Sequence, residues 1–153
     1  MKRTVVLACF LALGAAALPL ADASAGPIPT PALGVWEITP QPEPNTCLPP
    51  GPPVANIGIF IKDGTLVNVD PLLGTAVGRV SKGPQQTLYS TFFGTTFVPD
   101  LGGILRYEVN GVSSIGTNET FEGTFVTTLT FPNGDTCTFE GTVTGQRLLP
   151  ALD

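Results

Sequence analysis

Two segments near the C-terminus, residues 119–131 and 135–148, alternate apolar and polar side chains with a period of two. Such alternation specifies a pair of antiparallel strands, each with one face buried. In the first segment Phe121, Phe125, Leu129 and Phe131 share a face, and in the second Cys137, Phe139 and Val143 do. All are odd-numbered, so the two apolar sets face the same side only if the connecting loop has an odd number of residues. Pro132-Asn133-Gly134 supplies such a loop. Proline suits the first turn position, asparagine the second, and glycine the left-handed position that closes the bulge. The resulting register sets Leu129 opposite Cys137, Thr127 opposite Phe139, Phe125 opposite Gly141, Gly123 opposite Val143 and Phe121 opposite Gly145. Three of these pairs match a large residue with a glycine, which lets long strands coil sharply. The outer face becomes Thr130/Thr136, Thr128/Thr138, Thr124/Thr142 and Glu122/Thr144, all polar cross-strand pairs.

Upstream, no window carries a helical period, while valine, threonine, isoleucine, phenylalanine and glycine dominate and turn signals recur. Asp63-Gly64 separates 57–62 from 65–69, and Asn110-Gly111 separates 104–109 from 112–115. Both dipeptides tolerate positive φ and predict two-residue hairpin turns. Residues 75–80 and 87–93 supply two more strands, joined through Lys82-Gly83-Pro84. The fold expected is all-β: a single antiparallel β-barrel of about eight strands, with a two-sheet sandwich as the alternative.

The N-terminus reads differently. Lys2 and Arg3 precede an apolar run over residues 4–18 and the small-x-small triplet Ala23-Ser24-Ala25, the layout of an export signal cleaved after residue 25. The run is short for a membrane span, and no later stretch approaches the required length. The expected organisation is a signal peptide at 1–25, a proline-rich tether at 26–34, an antiparallel β domain at 35–149 and a tail at 150–153. The expected location is periplasmic or extracellular. Cleavage leaves five basic and eleven acidic groups, a balance that disfavours nucleic acid and anionic membrane surfaces as partners. Cys9 departs with the signal, leaving Cys47 and Cys137 in an oxidising compartment, where a disulfide is expected and two buried free thiols are the alternative. Cys47 sits in a second proline-rich stretch, 40–53, which that bond would pin.

Gly34-Val35-Trp36 and Gln146-Arg147 resemble the ends of the lipocalin and calycin barrels. In those families a glycine-x-tryptophan opens the first strand, and an arginine near the last strand packs across the tryptophan at the closed end. The resemblance implies a closed barrel with a structural Trp36–Arg147 contact. Cation–π attraction there would contribute about 1 kcal/mol; the plainer reading is a large core tryptophan and a solvated strand-end arginine. One antiparallel pairing of first and last strands accommodates both Trp36 with Arg147 and Cys47 with Cys137, because the two pairs differ by only one in register.

The chain has no histidine, which removes Ser-His-Asp and Cys-His catalysis and the common zinc ligand sets; no metal site or cofactor is expected. The carboxylates Glu37, Asp63, Asp70, Asp100, Glu108, Glu119, Glu122, Asp135 and Glu140 fall mainly in turns or on outward phases and read as solvated surface. Glu119 opposite Arg147 reads as a rim ion pair. Residues 88–98 place aromatics on both faces of one strand, and Asn118-Glu119-Thr120 is a glycosylation sequon.

Three functions follow. The first is a non-enzymatic barrel that binds a small apolar or amphipathic ligand, lined by Leu105, Tyr107, Phe121, Phe125, Phe139 and Val143, with the proline-rich loop near the mouth. The second is a structural or interaction module that self-associates through sheet edges or the Phe92 to Phe97 surface. The third is a cyclase- or isomerase-like barrel enzyme such as the allene oxide cyclase-like barrels, which rests on fold analogy.

Overall fold

A computed structural model describes residues 28–29, 32–47, 52–116 and 119–150; the expected signal segment and Asn118 lie outside them. Eight strands follow in chain order: β1 (Gly34–Pro42), β2 (Asn56–Phe60), β3 (Thr65–Asp70), β4 (Gly74–Lys82), β5 (Thr87–Val98), β6 (Gly103–Ile115), β7 (Thr120–Thr130) and β8 (Thr136–Pro150). Each pairs antiparallel with the next, and β8 pairs back onto β1, closing a barrel. Closure excludes the two-sheet sandwich. The β7–β8 register is the one the alternation predicts, from Phe121 opposite Gly145 to Leu129 opposite Cys137.

The strands are strongly staggered. A pairing row that starts at Trp36 passes through Gly58, Asn68, Ala76, Gly94, Tyr107 and Leu129 and returns to β8 at Cys137, whereas Trp36 itself pairs with Arg147. That ten-residue offset along β8 requires strands tilted well away from the barrel axis. Glycines permit the coiling: a Cβ on Gly145 would run into the Phe121 ring, and one on Gly58 into the Ile38 side chain.

Two turn assignments need correction. The Asp63-Gly64 connection is a three-residue loop, in which Ile61 N donates to Thr65 O and Gly64, at φ 89°, donates to Ile61 O. Phe60 and Leu66 are paired and both buried, so parity again requires an odd loop. Asn110-Gly111 is no turn, because β6 runs straight through it. There Gly111 pairs with Ser90 and Phe125, and the Asn110 side chain accepts from Thr91 Oγ1 (2.7 Å) and donates to Glu108 Oε1 (3.0 Å). Strand β5 also extends to Val98, past the predicted end at residue 93.

Asp63 caps its loop by accepting from Thr65 N at 2.8 Å. Hydrogen bonding from Thr65 holds its carboxyl below the ordinary value of 3.8. A depressed folded-state pKa contributes stability above the unfolded value that is lost as pH falls through the folded value. Amide exchange at Gly64 and Thr65 is therefore expected to accelerate, beyond its intrinsic pH dependence, as pH falls below the ordinary carboxylate range. Asp63→Ala should exchange fast at all pH values, and a pH-independent wild-type turn would contradict the cap.

The interior holds two buried clusters. One joins Trp36, Phe60, Leu66, Val80, Leu88 and Phe121 to Ile28, Ala32 and Leu33. The proline-rich segment read as a tether thus contributes three core residues, and Trp36 Nε1 donates to Ala32 O at 2.9 Å. The other cluster contains Ala76, Leu105, Tyr107, Phe125, Leu129 and Phe139. Phe92 and Val143, both partly buried, touch the two clusters alike.

Candidate functional site

The Trp36 end is packed shut. The Trp36 ring lies 5.3 Å from Phe121 and 6.2 Å from Phe60, centre to centre, and the Arg147 guanidinium sits 4.9 Å from the Trp36 centroid. Trp36 is fully buried, so this contact forms away from water and the cation–π reading holds. Arg147 also approaches Glu119 at 4.0 Å, the predicted rim pair. With Glu119 64 % exposed, that pair contributes less than about 1 kcal/mol. Phe121, predicted to line a ligand site, belongs to this packed end.

The opposite end is built from the end of β1, the starts of β2 and β4, the end of β3 and the β7–β8 loop. Cys47 and Cys137 are joined in a disulfide there, and Cys47, Leu73, Val98 and Phe131 pack over the cluster that holds the other predicted lining residues. Leu105, Tyr107, Phe125 and Phe139 are buried, the two phenylalanines meeting edge to face at 6.3 Å. Between the two ends the inward positions are mostly small: Ser90, Gly111, Ser113 and Gly123. Inward Phe92, Val109 and Val143 keep part of their surface accessible, whereas Trp36 and Leu129 keep none.

Polar atoms converge on the disulfide end. Asp70 terminates β3 and accepts from Leu72 N (2.7 Å) and Leu73 N (2.9 Å) through Oδ1, which fixes the β3–β4 turn; its Oδ2 accepts from Asn56 Nδ2 at 3.3 Å. Asn56 and Asn68 are 7 % and 3 % exposed, and Tyr107 is 3 % exposed. The Tyr107 ring crosses over Gly94, where a Cβ would collide with its hydroxyl end. Neither Tyr107 Oη nor Asn56 Oδ1 has a hydrogen-bond partner among the described residues. Burial raises the Tyr107 pKa above its ordinary 10.0, and the nearby Asp70 charge raises it further, so the phenol is neutral at physiological pH.

Sequence reasoning singled out Tyr107 but missed Asn56, which lies between the proline-rich stretch 40–53 and the strand expected at 57–62. The remaining carboxylates are local or exposed: Asp135 accepts from Asn133 Nδ2, and Glu108 from Asn110. Among the described residues no group of three or more histidine, cysteine, aspartate or glutamate side chains is placed to hold a metal, and no helix is long and apolar enough to cross a membrane.

The outer wall has two features. A hollow of about 460 Å³ lies where β1, β8, β7 and β6 coil around Gly145, with Glu37, Thr39, Ser114, Glu122, Thr144 and Gln146 on its walls. It is open to solvent, and Ile115 and Phe121 make its lining about as apolar as polar. On the other side Val35, Ile59, Val67, Val77 and Phe93 stand directly opposite one another across β1 to β5, forming an apolar stripe. Phe93 is 66 % exposed.

No family model, no curated protein and no solved structure matches the chain. The structure shows an eight-stranded antiparallel barrel with Trp36 and Arg147 at its packed end, and no match places it among the lipocalins or calycins.

Proposed function

We propose that the protein is an exported, non-enzymatic β-barrel that holds a small amphipathic molecule between its packed end and its disulfide-closed end. One observation carries this reading: two buried polar atoms on inward-facing residues, Tyr107 Oη and Asn56 Oδ1, have no hydrogen-bond partner among the described residues. Leaving such atoms unpaired costs about 1–3 kcal/mol each, a cost that a bound polar group offsets. The small inner residues and the partly accessible Phe92, Val109 and Val143 support an apolar body seated below them. Leu105, Tyr107, Phe125, Phe139 and Val143 line the site, and Phe121 supports it from beneath. Export accords with the N-terminal pattern and the disulfide.

Tyr107→Phe tests this directly. Deleting a hydroxyl that has no partner among the described residues is expected to leave thermal stability unchanged or slightly higher, by up to about 1 kcal/mol. The same change is expected to weaken retention of the co-purified molecule about tenfold. A loss of stability with retention unaltered would assign the hydroxyl to the fold.

A second reading rests on the outer stripe. An apolar row that ends at the exposed Phe93, with the paired Phe97 and Ile104 also exposed, suits association with a second copy. Sedimentation should then show a concentration-dependent dimer that Phe93→Asp abolishes without changing the circular dichroism spectrum. A wild-type monomer at every concentration would remove this reading.

A further inference from the structure

The hydrogen-bond chemistry of the disulfide end selects the polar group that fits it. Asp70 spends Oδ1 on two backbone amides and Oδ2 on Asn56. A carboxylate only accepts, so Asn56 must turn its NH₂ toward Asp70. That fixes the amide orientation and points Oδ1, an acceptor with no donor among the described residues, away from Asp70. The neutral Tyr107 hydroxyl, which lies within reach of the Asp70 charge, can accept as well as donate. The nearest formal charge on this cluster is the negative charge of Asp70, which acts on Tyr107. Arg147 is at the far end over Trp36, and Arg106 is exposed on the outer phase of β6.

We infer that the bound molecule presents a hydrogen-bond donor, an alcohol or an amine, to Asn56 Oδ1 and Tyr107 Oη, and that carboxylates are refused. This rests on the ligand-binding reading above. An alcohol donates to Asn56 Oδ1 while accepting from Tyr107; an ammonium donates to both and is drawn by Asp70. A carboxylate could accept from Tyr107, but it would set acceptor against acceptor at Asn56 and anion against anion at Asp70, and a site built to hydrogen-bond one group discriminates strongly against a group that leaves its own polar atoms unpaired.

The test is titration of the oxidised, solvent-extracted protein with 1-octanol, octylamine and octanoate at neutral pH, followed by calorimetry and native mass spectrometry. Octanol and octylamine are expected to bind at least about tenfold tighter than octanoate. Octanoate binding as tightly as the other two would overturn the donor preference and leave the ligand-binding reading standing. Failure of all three to bind would remove that reading and the inference with it.

Discussion

Trp36→Ala is expected to lower the unfolding free energy by about 3–5 kcal/mol, the range for truncating a buried aromatic where the surroundings collapse only partly. Trp36 has no exposed surface. Its ring is gripped by Phe60, Phe121 and Arg147, and its Nε1 holds Ala32 O. Alanine would open a cavity at the packed end, strand a buried carbonyl and leave Arg147 without its ring. Collapse is hindered, because Phe121 is already seated against Gly145. Trp36→Phe, which keeps a ring for Arg147 but loses the Ala32 bond, should cost noticeably less. Urea titration with β-sheet circular dichroism measures both, and a Trp36→Ala cost below about 1 kcal/mol would show that this end is not closed by the tryptophan.

The second large effect is expected on removing the disulfide. Cys47 and Cys137 are separated by 90 residues, and a bond that closes so long a loop restricts the unfolded chain by the equivalent of about 4.6 kcal/mol on the chain-entropy account. Cys47 precedes the proline-rich connection to β2 and packs on the cluster containing Tyr107, so the same bond fixes the covering of the candidate site. The Cys47→Ala/Cys137→Ala double variant should shift the denaturation midpoint far below that of the oxidised wild type, and the reduced wild type should behave like it. An unchanged midpoint would mean that the β1–β8 pairing alone holds this end.

Parity made β7 and β8 legible. Odd-numbered Phe121, Phe125 and Leu129 could face odd-numbered Cys137, Phe139 and Val143 only through an odd loop, and every pair of that register is present. Closure was legible for a similar reason, since the Trp36–Arg147 pairing and the Cys47–Cys137 bond fit one antiparallel arrangement. Asn110-Gly111 misled because the dipeptide permits positive φ without demanding it; within β6 its neighbours on both sides supply ladder partners, and extended backbone prevails. Residues 28–33 misled because proline fixes an extended backbone but says nothing about whether Ile28 and Leu33 meet a core. Half of the candidate site was hidden as well. Tyr107 follows from strand phase, but Asn56 becomes notable only when Asp70 claims its NH₂ and burial isolates its oxygen.

Native mass spectrometry of the oxidised protein purified from its own compartment, beside the same sample after solvent extraction, tests the central claim most directly. A discrete added mass that extraction removes, and that Tyr107→Phe retains poorly, is the result expected. A bare mass before extraction, with octanol, octylamine and octanoate all failing to add to it, would contradict a binding barrel and leave the outer stripe around Phe93 as the working surface.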